Sequence, residues 1–253
     1  MATQAVSLVI PSALAPHPGG GFWLARAVVS ALKQSRPPAE VVVALDPGAR
    51  LPPEVAALSP CVRAVNGEAP GHQAASNVAV RSVGYPLVAF LEDDDTWEPW
   101  HLESAWEAIC RHAADFVSSS QRLVDPDGAP RGVFDFPTAS GWLLDRLVWV
   151  RLGGFDVSYR IHHDNDFLGK LNRAGVRRLH LTEDAPSPPR RKDVQRLACF
   201  SWVAPSRGRL VPSVNRSVHG GSVLAGVKRD QEKAQRSRAE YARLRSEYGD
   251  IPW

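Results

Sequence analysis

The sequence predicts an α/β fold with a mostly parallel central sheet flanked by helices, and three observations carry that expectation. Apolar, β-rich runs alternate with helical stretches through the first half of the chain. The runs are continuously apolar, as strands covered on both faces require. Polar or acidic residues follow directly on several runs, at the strand ends where open parallel sheets bind ligands.

Taken in order, the strands are expected at VSLVI (6–10), VVVAL (41–45), VRAV (62–65) and PLVAFL (86–91). Helices are expected within FWLARAVVSALKQ (22–34), within HQAASNVAVRSV (72–83) and near 97–114. Beyond Ala114, ADFVSSSQRLVDPDGAPRGVFDF reads as two strands joined by the turn Asp125-Pro126-Asp127-Gly128. GWLLDRLVWVRLGGF is an apolar segment stopped by Gly153-Gly154, and DNDFLGKLNRAG is a short helix with Gly175 at its C-terminus. VRRLHL reads as a strand, SPPRRK as a proline-broken basic loop, and 228–248 as a strongly polar helix.

With 253 residues, 44% of them hydrophobic, the chain can build a sizeable core. No apolar stretch approaches the roughly 18–20 residues of a membrane helix, and no basic region precedes the short apolar run at the start, so the expectation is a cytoplasmic protein. Cys61, Cys110 and Cys199 form no CxxC pair and suggest neither a disulfide framework nor a zinc site. Net charge is +3 but uneven: from Pro189 onward fourteen basic residues face six acidic ones, leaving the first 188 residues at −5. Such a basic end can favour an anionic partner, whether a nucleotide diphosphate, a lipid surface or a nucleic acid, and Arg, 25 of the 30 basic residues, suits phosphate.

Gly19-Gly20-Gly21 lies between a strand and a helix, but a dinucleotide fingerprint needs a third glycine where Leu24 stands, so the segment reads as a flexible loop. LEDDDTW (91–97) is more informative. Strand alternation would send Glu92 and Asp94 one way and Asp93 and Asp95 the other, so the four cannot share one ion. Mg²⁺ and Mn²⁺ are held by one or two carboxylates plus substrate phosphates, which this run can supply. Alternatively, Asp95 or Thr96 caps the helix expected from Trp97. His162, His163 and Asp164 raise a zinc cluster as a weak alternative, since adjacent histidines point apart.

The arrangement resembles a family 2 glycosyltransferase of the GT-A fold. The family's strand ending in Pro-Thr/Ser is matched by VIPSA, its helix and Gln-containing turn by Ser30–Gln34, and its strand ending in Asp by AEVVVALD. The helix containing Asn77, then EDDD with Trp97 and Pro99, GGFD at 153–156, HHDND at 162–166 and NRSVHGGS at 215–222 follow in register. The resemblance implies that Pro11, Ser12, Ala13 and Asp46 contact the nucleotide, with Asn77, Arg81, Glu92 and Asp93 also on the donor. It implies that Asp94, and with it Asp95 and His219, serves a divalent cation (Mn²⁺ or Mg²⁺), and that Asp164 is the catalytic base. Three departures stand out: Ser76 replaces an Arg, for which Arg81 on the same helical face is the substitute; Glu92 replaces an Asp; and the acidic pair before the helix is reduced to His163-Asp164.

The implied activity is metal-dependent, inverting transfer of a sugar from a UDP-, GDP- or dTDP-linked donor to a hydroxyl acceptor. Residues 1–225 would form one GT-A domain, with 1–114 holding the donor and 115–225 the acceptor side, and 226–253 a polar helix or tail. Trp142, Trp149 and Trp202 are candidates to stack on a sugar, although core packing suits at least two of them. The tail is expected to be a solvated appendage, an oligomer contact or a surface for an anionic acceptor. Two rival readings are a sugar nucleotidyltransferase, disfavoured because PHPGGGFW has no basic residue, and a non-catalytic sugar-nucleotide or anion-binding module.

Overall fold

A computed structural model describes residues 5–182, 200–203, 212–220 and 223–252, with backbone alone over 200–203 and 223–225. The chain runs β1 (Val6–Ser12), α1 (Trp23–Leu32), β2 (Glu40–Leu45), α2 (Pro53–Ala56), β3 (Val62–Asn66), α3 (His72–Ser82) and β4 (Leu87–Phe90). It continues with β5 (Thr96–Trp97), α4 (His101–His112), β6 (Phe116–Ser119), β7 (Gln121–Val124), β8 (Pro130–Phe134), β9 (Leu143–Asp145) and α5 (Arg146–Leu152). Then come α6 (His163–Arg173), β10 (Arg178–Leu181), β11 (Phe200–Val203), β12 (Val214–Ser217), α7 (Val223–Arg229) and α8 (Gln231–Tyr248). SPPRRK and the Trp202 side chain lie outside the described residues.

Eight strands form one sheet in the order β11-β10-β6-β9-β4-β1-β2-β3. All its pairings are parallel except those of β9, which runs antiparallel to both β4 and β6. Alternate residues of β1 enter different cores: Leu8 and Ile10 join Leu24, Val28 and Leu102 on one face, while Val9 joins Ala75, Phe90 and Phe167 on the other. Burial on both faces explains the continuous apolar runs.

A smaller sheet, β5-β12-β7-β8, stands beside the first. The segment expected as two strands is divided at Ser120 between the sheets, with β6 in the large one and the β7–β8 hairpin in the small one. The helix expected from Trp97 starts at His101 instead, because Thr96 and Trp97 pair with Asn215 and Val214 of β12. Asp95 and Thr96 therefore cap nothing. The final helix is also two: α7 ends at Arg229, and Asp230 caps α8 by accepting from the Glu232 and Lys233 amides. Among the described residues no helix is long and apolar enough to cross a membrane.

Two further observations concern side chains, the first being the core packing expected of two tryptophans. Trp142 and Trp149 are 0% and 3% exposed, in ring contact with Phe90, Phe155 and Phe167, so neither can stack on a sugar. Asn77 is bonded at both ends to one residue: its Nδ2 donates to the Phe155 carbonyl and its Oδ1 accepts from the Phe155 amide, each at 2.9 Å. The chain reaches this position through Gly154, whose φ of +65° and approach to Asn77 and Trp149 leave no room for a Cβ. Replacing Asn77 by Ala orphans two backbone groups, an expected cost of about 2–4 kcal/mol, read as a lower urea midpoint at unchanged slope.

Candidate active site

A cavity of about 590 Å³ opens at the carboxyl ends of β1, β2 and β4, lined by Pro11, Ser12, Ala13, Asp46 and the whole run Glu92–Asp95. Because these strands are parallel, their ends share an edge, and the residues that follow them converge. From beyond residue 115, Leu123, Phe134, Arg216–His219 and Lys228 add to the wall. Parallel pairing of β12 with β7 and its antiparallel pairing with β5 carry Arg216 and His219 to that edge.

The acidic run does not continue β4 as a strand. Asp95 N–H closes a turn on the Glu92 carbonyl at 3.2 Å, and this overturns the alternation expected for an extended segment. Ligating oxygens of Glu92, Asp94 and Asp95 come within 4.8 Å of one another, while Asp93 turns away to accept from the Ser12 hydroxyl. Ser140 holds the turn: its hydroxyl accepts from Glu92 N–H at 3.0 Å and donates to Asp95 Oδ2 at 2.6 Å, while its carbonyl accepts from Trp97 Nε1 at 2.7 Å. Asp95 Oδ1 accepts from the Ser217 amide at 2.9 Å, tying the run to the end of β12. Asp94 Oδ2 meets His219 Nε2 at 2.9 Å, and the His219 ring stacks on Trp23 at 4.7 Å.

Burial, reinforced by the Asp94 charge, pushes the Glu92 carboxyl up to about 7. Asp93 is pushed up to about 6 by burial, against the Ser12 bond, and Asp95 is raised well above the carboxylate range by burial and its neighbours. This crowd of hard oxygen donors, reluctant to ionise together, fits a hard divalent cation of the Mg²⁺ or Mn²⁺ type, whose charge removes the mutual repulsion. Glu92, Asp94 and Asp95 are the residues able to hold it, with His219 adjoining through Asp94.

Asp164 sits in the first turn of α6, whose N-cap is His162, so neither Asp164 nor Asp166 caps the helix. Asp164 Oδ1 accepts from Asn165 N–H at 2.8 Å, and burial pushes its carboxyl up to about 6. Arg216 is the shared counter-charge: it opposes the upward shifts of Glu92, Asp95 and Asp164, lines the cavity, and lies over the Phe134 ring at 5.2 Å.

Two expected donor contacts lie outside this cavity. Asn77 is bonded to Phe155, and Arg81 pairs with Glu68 at 2.8 Å on the surface; neither lines the cavity. His72, which the sequence reading passed over, lines the cavity with its Nε2 unpartnered, and burial drives its pKa down to about 4. Ser140 and Arg216 carry little signal in the sequence: Ser140 is a lone Ser in PTASGW, and Arg216 is one basic residue within NRSVHGGS. His162 and His163 point to different partners, Ser237 and Gln73, and form no metal cluster.

Residues 21–159, more than half of the chain, match the family model Glycosyl transferase family 2. No curated protein matches. Solved structures of S. aureus TarS share the fold at low identity. TarS 1–349 aligns with a TM-score of 0.52 and 18% identity, over 66% of this chain and 54% of that one. A longer TarS structure gives 0.58 and 14%, over 95% and 43%, and TarS 1–349 in complex with UDP gives 0.55 and 13%, over 96% and 72%. The chain thus spans about half the length of the first two. The matched segment runs from α1 through the acidic turn to the Phe155 corner, and on it the chain belongs to glycosyl transferase family 2, with the GT-A fold.

Proposed function

We propose that the protein transfers a sugar from a nucleotide-diphosphate donor to a hydroxyl acceptor with inversion, assisted by a divalent cation. The observation that carries this reading is the convergence of Glu92, Asp94 and Asp95 at the strand edge, in one cavity with Ser12 and Asp46. Pro11, Ser12, Ala13 and Asp46 would hold the nucleotide, and residues 115–225 would supply the acceptor side. The TarS structure with UDP makes UDP the first nucleotide to test.

In the reaction, the acceptor hydroxyl attacks the anomeric carbon as the bond from that carbon to the diphosphate oxygen breaks. The acceptor proton passes to the Asp164 carboxylate, and the electron pair of the broken bond leaves with the diphosphate. A bound divalent ion supplies Lewis-acid stabilisation of that developing charge. Arg216 and Lys228 add positive charge to the same cavity, and His219, stacked on Trp23, orients Asp94. One displacement inverts the anomeric centre, which NMR of the product reads directly.

A thermal-shift panel of UDP-, GDP- and dTDP-sugars with and without Mn²⁺ tests the reading; no manganese-dependent shift with any donor would sink it. The metal effect has a defined pH sign. The folded pKa of Glu92 is raised to about 7, so the stability contributed by its proton is present below its ordinary value and lost as pH rises through 7. Mn²⁺ competes with that proton, so its stabilisation should be small near pH ~5 and grow towards pH ~8, and Asp94→Ala should abolish it. Asp164→Asn should lower kcat by about 10²–10⁴-fold with donor affinity intact. In the wild type, kcat should fall as pH drops through about 6, where Asp164 takes up its proton.

A further inference from the structure

The helix α8 begins 72 residues beyond the last residue that matches the family model, and its sequence reads as a solvated face. Its contacts are of another kind. Glu240, 7% exposed, accepts three consecutive backbone amides: Arg160 N at 2.8 Å on Oε1, and Ile161 N at 3.0 Å and His162 N at 2.9 Å on Oε2. Those amides belong to the loop that enters α6, two to four residues before Asp164. One turn earlier on α8, Ser237 Oγ meets His162 Nε2 at 2.7 Å, and Tyr241 stacks on the His162 ring at 3.8 Å. Further along, Tyr248 Oη donates to Asp166 Oδ1 at 2.7 Å and its ring covers Gly169, where an added Cβ would come within 2.6 Å of it. Asn165 Nδ2 donates to the Pro252 carbonyl at 2.9 Å.

Glu240 thus acts on α6 from outside as a capping carboxylate. The N-cap His162 makes no side-chain cap bond to its own helix, and with three amides converging on one buried carboxylate the loop has a single well-bonded conformation. The direction of the Asp164 side chain follows from that loop, because Asp164 is the second residue of the helix that the loop starts.

We propose that Glu240 is a positioning residue for the transfer reaction, holding the 160–162 backbone so that Asp164 meets the acceptor hydroxyl. This rests on the reading of Asp164 as the base. Glu240 touches neither donor nor acceptor in this role; it acts through the loop.

The test compares Glu240→Gln, Ser237→Ala, Glu232→Gln and Asp164→Asn in the full chain. UDP affinity is measured by calorimetry, fold by circular dichroism, and kcat as release of nucleotide diphosphate to water from the sugar nucleotide that the donor panel selects. Glu240→Gln keeps the size but turns an amide NH₂ towards backbone N–H donors. Its kcat should fall about ten- to a hundredfold, the scale of a misplaced catalytic group, with UDP affinity and secondary structure unchanged. Ser237→Ala should lower kcat less and in the same pattern, while Glu232→Gln, on the exposed side of α8, should match the wild type. Wild-type kcat in Glu240→Gln overturns the proposal, as does a loss of kcat matched by equal loss of UDP affinity. Should Glu240→Gln fail to fold, Ser237→Ala decides: wild-type turnover there overturns the proposal. If Asp164→Asn is inactive while Glu240→Gln is fully active, the positioning role alone fails; if Asp164→Asn stays active, the assignment of the base fails first.

Discussion

Three carboxylates held within reach of one ion are the constraint on which the rest of this structure depends. Like charges at that spacing repel, and burial adds to the cost of ionising them. The fold keeps them there with directed hydrogen bonds. Ser140 takes the Glu92 amide and the Asp95 carboxylate together, Ser217 gives its amide to Asp95, and Ser12 draws Asp93 aside. Each of these partners comes from a different part of the chain, so the turn is as much a product of the sheets as of its own residues.

The antiparallel strand β9 is the topological device behind this. By entering between β4 and β6 it brings the 139–141 turn, with Ser140, against the carboxyl end of β4. The small sheet does the complementary work, since β12 pairs with both β5 and β7 and ends at Ser217 and His219. Residues from before and after position 115 therefore meet at the acidic turn, where Arg216 shares the cavity wall with Glu92 and Asp95.

The C-terminal helix extends the same logic to α6. A helix whose first turn carries a buried acid needs its entry loop fixed, and here the acceptor for that loop is a carboxylate nearly eighty residues away. Such a contact looks like an ordinary polar helix in sequence, because a Glu facing water and a Glu facing three amides are the same letter.

Periodicity and punctuation determined a good deal without any tertiary information. The central strands of the first half, the helices over 22–34 and 72–83, the hairpin turn at Asp125–Gly128 and the shared edge for Ser12, Asp46 and the acidic run follow from apolar runs and parallel connectivity, which are local properties. What tertiary structure decided was every question of direction. Asp95 joined Glu92 and Asp94 because the run turns; Trp97 left the helix for a strand because β12 offered it a partner; Asn77 and Arg81 left the cavity for Phe155 and Glu68. Side-chain direction depends on partners distant in sequence, and hydrogen-bond geometry selects among conformations that local propensity leaves nearly equal in energy.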